Sequence, residues 1–177
     1  MSVPVEIQKL CEVVPWPPDE ARVGPATEDQ IRSAETVFGT EFPAQWREFL
    51  QYLNGPCIGP GGVLGVDAER SALDFGRVLD SYPTWRTKRW IPVGGDGCGN
   101  YYVLIVCEDG TAPVGFVDTI SSPDEIAYVV ASDLWHFLSS ILKKELEETP
   151  WPFSREQVLR DDPNLETCTI APMPWEA

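Results

Sequence analysis

The chain has 177 residues, 43% of them hydrophobic, which is enough to bury one core without requiring a second domain. Thirteen Lys and Arg against 28 Asp and Glu give a net charge of −15, which opposes binding to nucleic-acid backbones or anionic membranes and favours encounter with basic partners. The longest apolar run, residues 101–107, falls far short of the roughly 20 residues needed to cross a bilayer.

Pro15, Pro17, Pro18 and Pro25 make residues 1–26 an extended arm, with at most a short helical turn before the prolines and with Trp16 as its anchor. From Thr27 a helix is signalled: Thr27 caps it, Gln30 completes the capping-box spacing, Ile31, Ala34 and Phe38 share a face, and Gly39 stops it. Pro43 suits the start of the next helix. There Trp46, Phe49, Leu50 and Leu53 recur at i, i+3, i+4 and i+7 before a left-handed termination at Asn54-Gly55. A Gly/Pro-rich stretch leads to a short strand over residues 63–66 and a helical stretch over 72–81.

Residues 90–93, 101–107 and 114–118 read as strands, the last two joined by Glu108-Asp109-Gly110-Thr111, whose Asp-Gly predicts a hairpin and so an antiparallel sheet. Between the first two lies Gly94-Gly95-Asp96-Gly97-Cys98-Gly99-Asn100. Four glycines in seven positions call for positive φ or a close approach to another segment. Ser132 is placed to cap a last helix in which Leu134, Phe137, Leu138, Ile141, Leu142 and Leu146 form an apolar stripe for the sheet. Beyond residue 147 the composition turns to Pro, Trp and acids, and periodicity ends. The class is α+β: a single domain, mainly an antiparallel central sheet with helices packed from the N- and C-terminal parts, divided as arm 1–26, domain 27–147 and tail 148–177, the tail's tryptophans favouring partial docking.

A search for chemistry finds little. His136, the only histidine, sits among core positions of the last helix and reads as structural. Gly95, Gly97 and Gly99 lack the G-x-G-x-x-G spacing and lead into a strand, whereas a phosphate loop needs a helix N-terminus. Asp96 and Asp118 read as a turn and a strand-end aspartate, and no dense carboxylate loop suggests a cation site. Arg86, Lys88 and Arg89 between Trp85 and Trp90 read as a solvated approach to a strand rather than a nucleic-acid grip. Five cysteines, at 11, 57, 98, 107 and 168, form no C-x-x-C pair, so reduced thiols and a cytoplasmic location are expected; residues 1–10 carry Glu6 and Lys9 and do not read as a secretory signal. The expectation is no catalytic residue, no metal, no cofactor and no enzyme. The acids are spread out, and on charge alone solubility and partner binding stand level.

The helix end at Glu35 to Gly39, the start at Phe42-Pro43 with Trp46, the stop at Asn54-Gly55, the stretch Trp90 to Asn100 with Gly95, Asp96, Gly97 and Gly99, and the helix from Ser132 to Leu142 together resemble the SUKH superfamily of Smi/Knr-type proteins. The resemblance covers residues 27–142; Phe38 and Trp46 stand where leucine and tyrosine are more usual, and both keep apolar bulk. It implies a non-enzymatic binding domain of mixed helix and sheet. Many bacterial members resemble immunity proteins that bind a toxin encoded beside them, often a nuclease or deaminase, while fungal relatives look like regulatory scaffolds of cell-wall synthesis. Acidity favours immunity, because a nucleic-acid-cleaving toxin has a positive groove that an acidic protein can occupy. The expected partner is thus a cognate protein toxin with a basic face, met by Asp67, Glu69, Asp74, Asp118, Asp124 and Glu125, with no nucleic acid and no membrane involved. The alternative is a Smi/Knr-type scaffold without a toxin; a small enzyme using Asp96 or His136 ranks last.

Overall fold

The computed structural model describes residues 2–17, 23–68 and 71–177. Its centre is a four-stranded antiparallel meander, β1 (Trp90–Gly95), β2 (Tyr101–Ile105), β3 (Val114–Val117) and β4 (Tyr128–Ala131), in the order β1-β2-β3-β4. The Asp109-Gly110 turn joins β2 to β3, with Gly110 at φ 86° and Cys107 N–H donating to Thr111 O at 2.9 Å. Strand β4 was not anticipated from the sequence; it is only four residues long and is defined by its pairing with β3.

Alternation along the strands gives the sheet two faces. Tyr102, Phe116 and Tyr128 stand opposite one another across β2, β3 and β4 and share the face covered by α6 (Leu134–Glu145), whose Phe137 ring lies 4.9 Å from Tyr102. The predicted stripe of α6 is buried at Leu134, Phe137, Leu138, Ile141 and Leu142. Its cap differs from expectation: Asp133, not Ser132, accepts from His136 N at 2.9 Å, because Ser132 is held by Asp162 through its N–H at 2.7 Å and its hydroxyl at 2.6 Å. The opposite face carries Tyr101, which packs on Tyr82, the residue that ends α4 (Phe75–Ser81), and on Trp85 of α5 (Thr84–Lys88). The solvated approach to β1 expected around Arg86 and Lys88 is helix α5. Its Trp85 is fully buried and donates from Nε1 to Pro123 O at 2.8 Å.

The N-terminal half supplies a helical pair. Helix α2 (Glu28–Phe38) has the predicted capping box between Thr27 and Gln30 and ends at Gly39, φ 97°. Helix α3 (Ala44–Leu50) follows Pro43 and buries Trp46, Phe49 and Leu50. It stops before Asn54-Gly55, earlier than its apolar spacing suggests. Asn54 instead clasps the backbone of Val66, donating from Nδ2 to its O at 3.0 Å and accepting from its N at 2.8 Å, while Gly55 turns the chain at φ 73°. Between the two helices Glu35 is buried and accepts from Phe42 N at 2.8 Å and from Arg47 at 2.5 Å, so one carboxylate ties the end of α2 to the start of α3.

The glycine stretch has a purely steric explanation. A Cβ at Gly61 would lie 2.4 Å from Gly97 N and 2.5 Å from Gly95 C, and one at Gly97, φ 80°, would lie 2.5 Å from Pro60 O. Two backbones cross at a separation that side chains forbid. Asp96 holds the loop, accepting from Cys98 N and Asn100 N and from Asn100 Nδ2, as a turn aspartate does.

Both sheet edges are covered. Leu64 N donates to Val93 O at 2.9 Å and Gly95 N to Gly62 O at 3.1 Å beside β1; at β4, Val129 N donates to Pro172 O at 3.0 Å. The C-terminal segment thus docks on β4 through the turn Pro163–Thr167, on which α7 (Arg155–Asp161) packs, and buries Trp151, Val158, Leu165 and Met173. At the other end, the nine-residue helix α1 (Val5–Val13), not merely a short turn, precedes the prolines and packs on α6, with Trp16 bonded to Cys11 O at 3.0 Å.

Candidate partner-binding surface

The acids singled out from the sequence fall into two groups. Asp67, in left-handed conformation at φ 49°, accepts from Gln30 Nε2 at 3.3 Å. Asp74 caps α4, taking Arg77 N at 3.0 Å and reaching Ala68 N at 3.1 Å, so it shares a turn with Asp67. Glu69 lies outside the described residues. In the second group, on residues 118–127, Asp118 accepts from Ile120 N and Ser121 N, each at 3.0 Å, and these bonds, Ser121's foremost, hold its carboxyl below the usual range. Asp124 accepts from Thr84 Oγ1 at 2.5 Å and pairs with Lys88; these contacts lower its pKa in that order. Glu125 is exposed. Helices α4 and α5, both packed on β1, connect the groups. Asp74 is the least available for a partner, since both its oxygens serve backbone amides.

A feature not singled out from the sequence lies on the α6 side of the sheet. Ring centroids step from Tyr102 to Phe116 (5.3 Å), from Phe116 to Tyr128 (5.0 Å, stacked at 13°) and from Tyr128 to Phe153 (6.1 Å, edge-on). The row begins under α6 at buried Tyr102, continues through half-buried Phe116 and Tyr128, and ends at Phe153, 61% exposed. The turn after β3 is stitched to the glycine loop: Thr119 N donates to Asn100 Oδ1 at 3.1 Å and Thr119 Oγ1 to Gly99 O at 2.7 Å, where Gly99 has φ 103°. Burial, then the charges of Asp96 and Asp118, push the Tyr128 hydroxyl pKa up, so both carboxylates act on this row. Spacing in the sequence gives no hint of it, because Phe153 comes from the Pro-rich segment.

Ser132 and His136 are each engaged by an aspartate. The Ser132 hydroxyl donates to buried Asp162, and the His136 ring is held by Asp133 at 2.9 Å, so serine and histidine are not paired as nucleophile and base. The Asp133 hydrogen bond raises the His136 pKa, against the cost of burial. A cleft of about 670 Å³ beside the β2–β3 hairpin is lined by Cys107, Asp109, Ser132 and Cys168 among others, and burial pushes the Cys168 thiol up, away from the reactive thiolate. Among the described residues no group of three or more His, Cys, Asp or Glu could hold a metal ion, and no helix is long and apolar enough to cross a membrane.

The signature positions have backbone and packing roles: Glu35 and Pro43 join two helices, Trp46 fills the core, Asn54 clasps Val66, Trp90 opens β1 beneath Lys88, and Gly95 to Asn100 form the crossing. No curated protein matches the chain. A crystal structure of a protein from Pseudomonas syringae pv. tomato is similar in fold, with 22% identity and a TM-score of 0.57 over 78% of this chain and 97% of that one. The model of the SMI1 / KNR4 family (SUKH-1) matches residues 25–140, which span both ends of the α2–α3 latch, the glycine crossing, the whole sheet and the first half of α6. On that match, and on the fold that carries it, the chain belongs to the SMI1 / KNR4 family (SUKH-1).

Proposed function

We propose that this chain is a non-enzymatic immunity protein that neutralises a cognate bacterial toxin by binding it directly in the cytoplasm, a nuclease or deaminase domain being the expected target. Family membership supports a SUKH-type domain. The observation that carries the reading further is the net charge of −15, with Asp67, Asp118, Asp124 and Glu125 presented on turns fixed by backbone and side-chain hydrogen bonds. The carboxylates of Asp67, Asp118 and Asp124, already held, lose little entropy on meeting a basic face, and a field of one sign speeds encounter. Asp74 adds charge beside Asp67.

The test is co-expression with the toxic domain encoded beside the gene, followed by growth and by association kinetics at two salt concentrations. Rescue with a one-to-one complex whose association slows as salt rises is expected. Charge reversal at Asp67, Asp118, Asp124 and Glu125 is expected to slow association and flatten that salt dependence. Absence of rescue, with capture of wall-synthesis or signalling proteins instead, would replace this reading with the scaffold.

A further inference from the structure

We infer that the outer end of the aromatic row, Phe116, Tyr128 and Phe153, flanked by the carboxylates of Asp96 and Asp118, is a docking surface for a basic loop of a partner protein that places an arginine or lysine against the rings. The inference rests on the immunity reading and names the contact by which the partner would be held.

Four observations support it. The rings form a continuous stack with rising exposure, so burial at one end fixes the rings presented at the other. Phe153, at 61% exposed, and Ile120, at 79%, on the turn after β3, are large apolar side chains left in water, where anchors of interfaces are found. Ring faces attract cations. Among the described residues the cation contacts are Lys88 over Trp90 at 4.6 Å and Lys144 over Trp151 at 5.8 Å, so Phe116, Tyr128 and Phe153 have none. Asp118 directly follows β3, two residues beyond Phe116, and Asp96 is tied to the same turn through Asn100, whose Nδ2 donates to Asp96 at 2.8 Å and whose Oδ1 accepts from Thr119 N at 3.1 Å, so two carboxylates stand at the Phe116 end of the row.

The same charges decide the occupant. A nucleic acid would bring phosphates against two carboxylates, and a second copy of this chain would bring another −15. A neutral apolar peptide would leave the negative charge of the carboxylates uncompensated, whereas an arginine stacks its planar guanidinium on a ring while its charge meets theirs.

The test uses the full chain and two peptides, acetyl-(Gly-Arg)4-amide and its citrulline counterpart, which keeps shape and loses charge. Ring and amide NMR signals are followed during titration. Movement centred on Phe116, Tyr128, Phe153 and residues 118–121 with the arginine peptide, and at least about fivefold weaker response to citrulline, is expected. Phe153→Ala is expected to weaken binding by about two- to fivefold. Asp118→Asn, which keeps an oxygen for Ile120 N and Ser121 N, is expected to act similarly. Both variants should retain the thermal midpoint of the parent. Shifts centred on other acids, or binding unchanged in both variants, would overturn the proposal, as would ring signals that move with protein concentration alone, the mark of self-association. A surface that takes the peptide in a protein unable to rescue from the toxin would sink the immunity reading alone; rescue with the peptide bound elsewhere would sink this surface alone.

Discussion

Replacing Glu35 by alanine isolates what joins the two helices of the N-terminal half. The substitution leaves Phe42 N–H buried without its acceptor, which costs about 1–3 kcal/mol. It also strips Arg47 of one of two carboxylates; because Glu28 remains at 2.5 Å and the Arg47 side chain is 25% exposed, that loss adds no more than about 1 kcal/mol. A net destabilisation of about 1–4 kcal/mol is expected, or roughly 2–16 °C in Tm for a chain of this size. Glu35→Gln keeps a neutral acceptor for Phe42 and should lose about half as much. Urea unfolding followed by tryptophan fluorescence, with m unchanged, measures both. A Glu35→Ala loss under about 0.5 kcal/mol would refute the argument that this carboxylate fastens α2 to α3.

Gly61→Ala forces the crossing of residues 60–62 and 95–97 apart, and its loss of stability should exceed that of Gly24→Ala, where a Cβ meets nothing within 4 Å; equal losses in thermal unfolding would remove the steric account of the glycine loop. His136 titrates with a raised pKa, first because of its hydrogen bond to Asp133 and then, against desolvation, because of the charges of Asp162, Asp133 and Glu6. Folding therefore favours the imidazolium. That contribution is full below the unfolded value of about 6.5 and disappears as pH rises through the higher folded value, so stability should fall across that window in the parent and stay flat there in His136→Asn. Trp151→Ala removes a ring packed on Tyr102 and Phe137 and a donor to Val130 O; about 3–5 kcal/mol is expected in denaturant unfolding, and a loss below about 1 kcal/mol would mean that the segment adds nothing to the core.

Where a structural cause was local, the sequence was readable. Thr27, Gln30 and Gly39 specify the limits of α2 by capping chemistry within twelve or so residues, and Asp109-Gly110 specifies a hairpin by its own backbone preference. Causes acting at a distance were hidden. Ser132 carries a capping hydroxyl, but Asp162, thirty residues later, takes it and leaves the cap to Asp133. Strand β4 has little length of its own, and β3 defines it; α5 hides inside a basic cluster and shows its apolar side only once Trp85 meets Tyr82 and Tyr101. The candidate surface divides in the same way. Its acids could be listed from the sequence, yet the burden that Asp74 and Asp124 already carry depends on Ala68, Arg77, Thr84 and Lys88. The aromatic row depends on register across three strands and a residue from the C-terminal segment.

The seal on β4 also sets an order of events during synthesis. Ala131 leaves the ribosome about 40 residues before Pro172, whose carbonyl accepts from Val129. At 5–20 residues per second the strand therefore waits about 2–8 s with its outer edge bare. During that interval the nascent chain has a complete meander and a sticky border, the condition in which neighbouring chains on one message can zip together. The sheet is therefore closed last, by a stretch that lies outside the residues the family model matches.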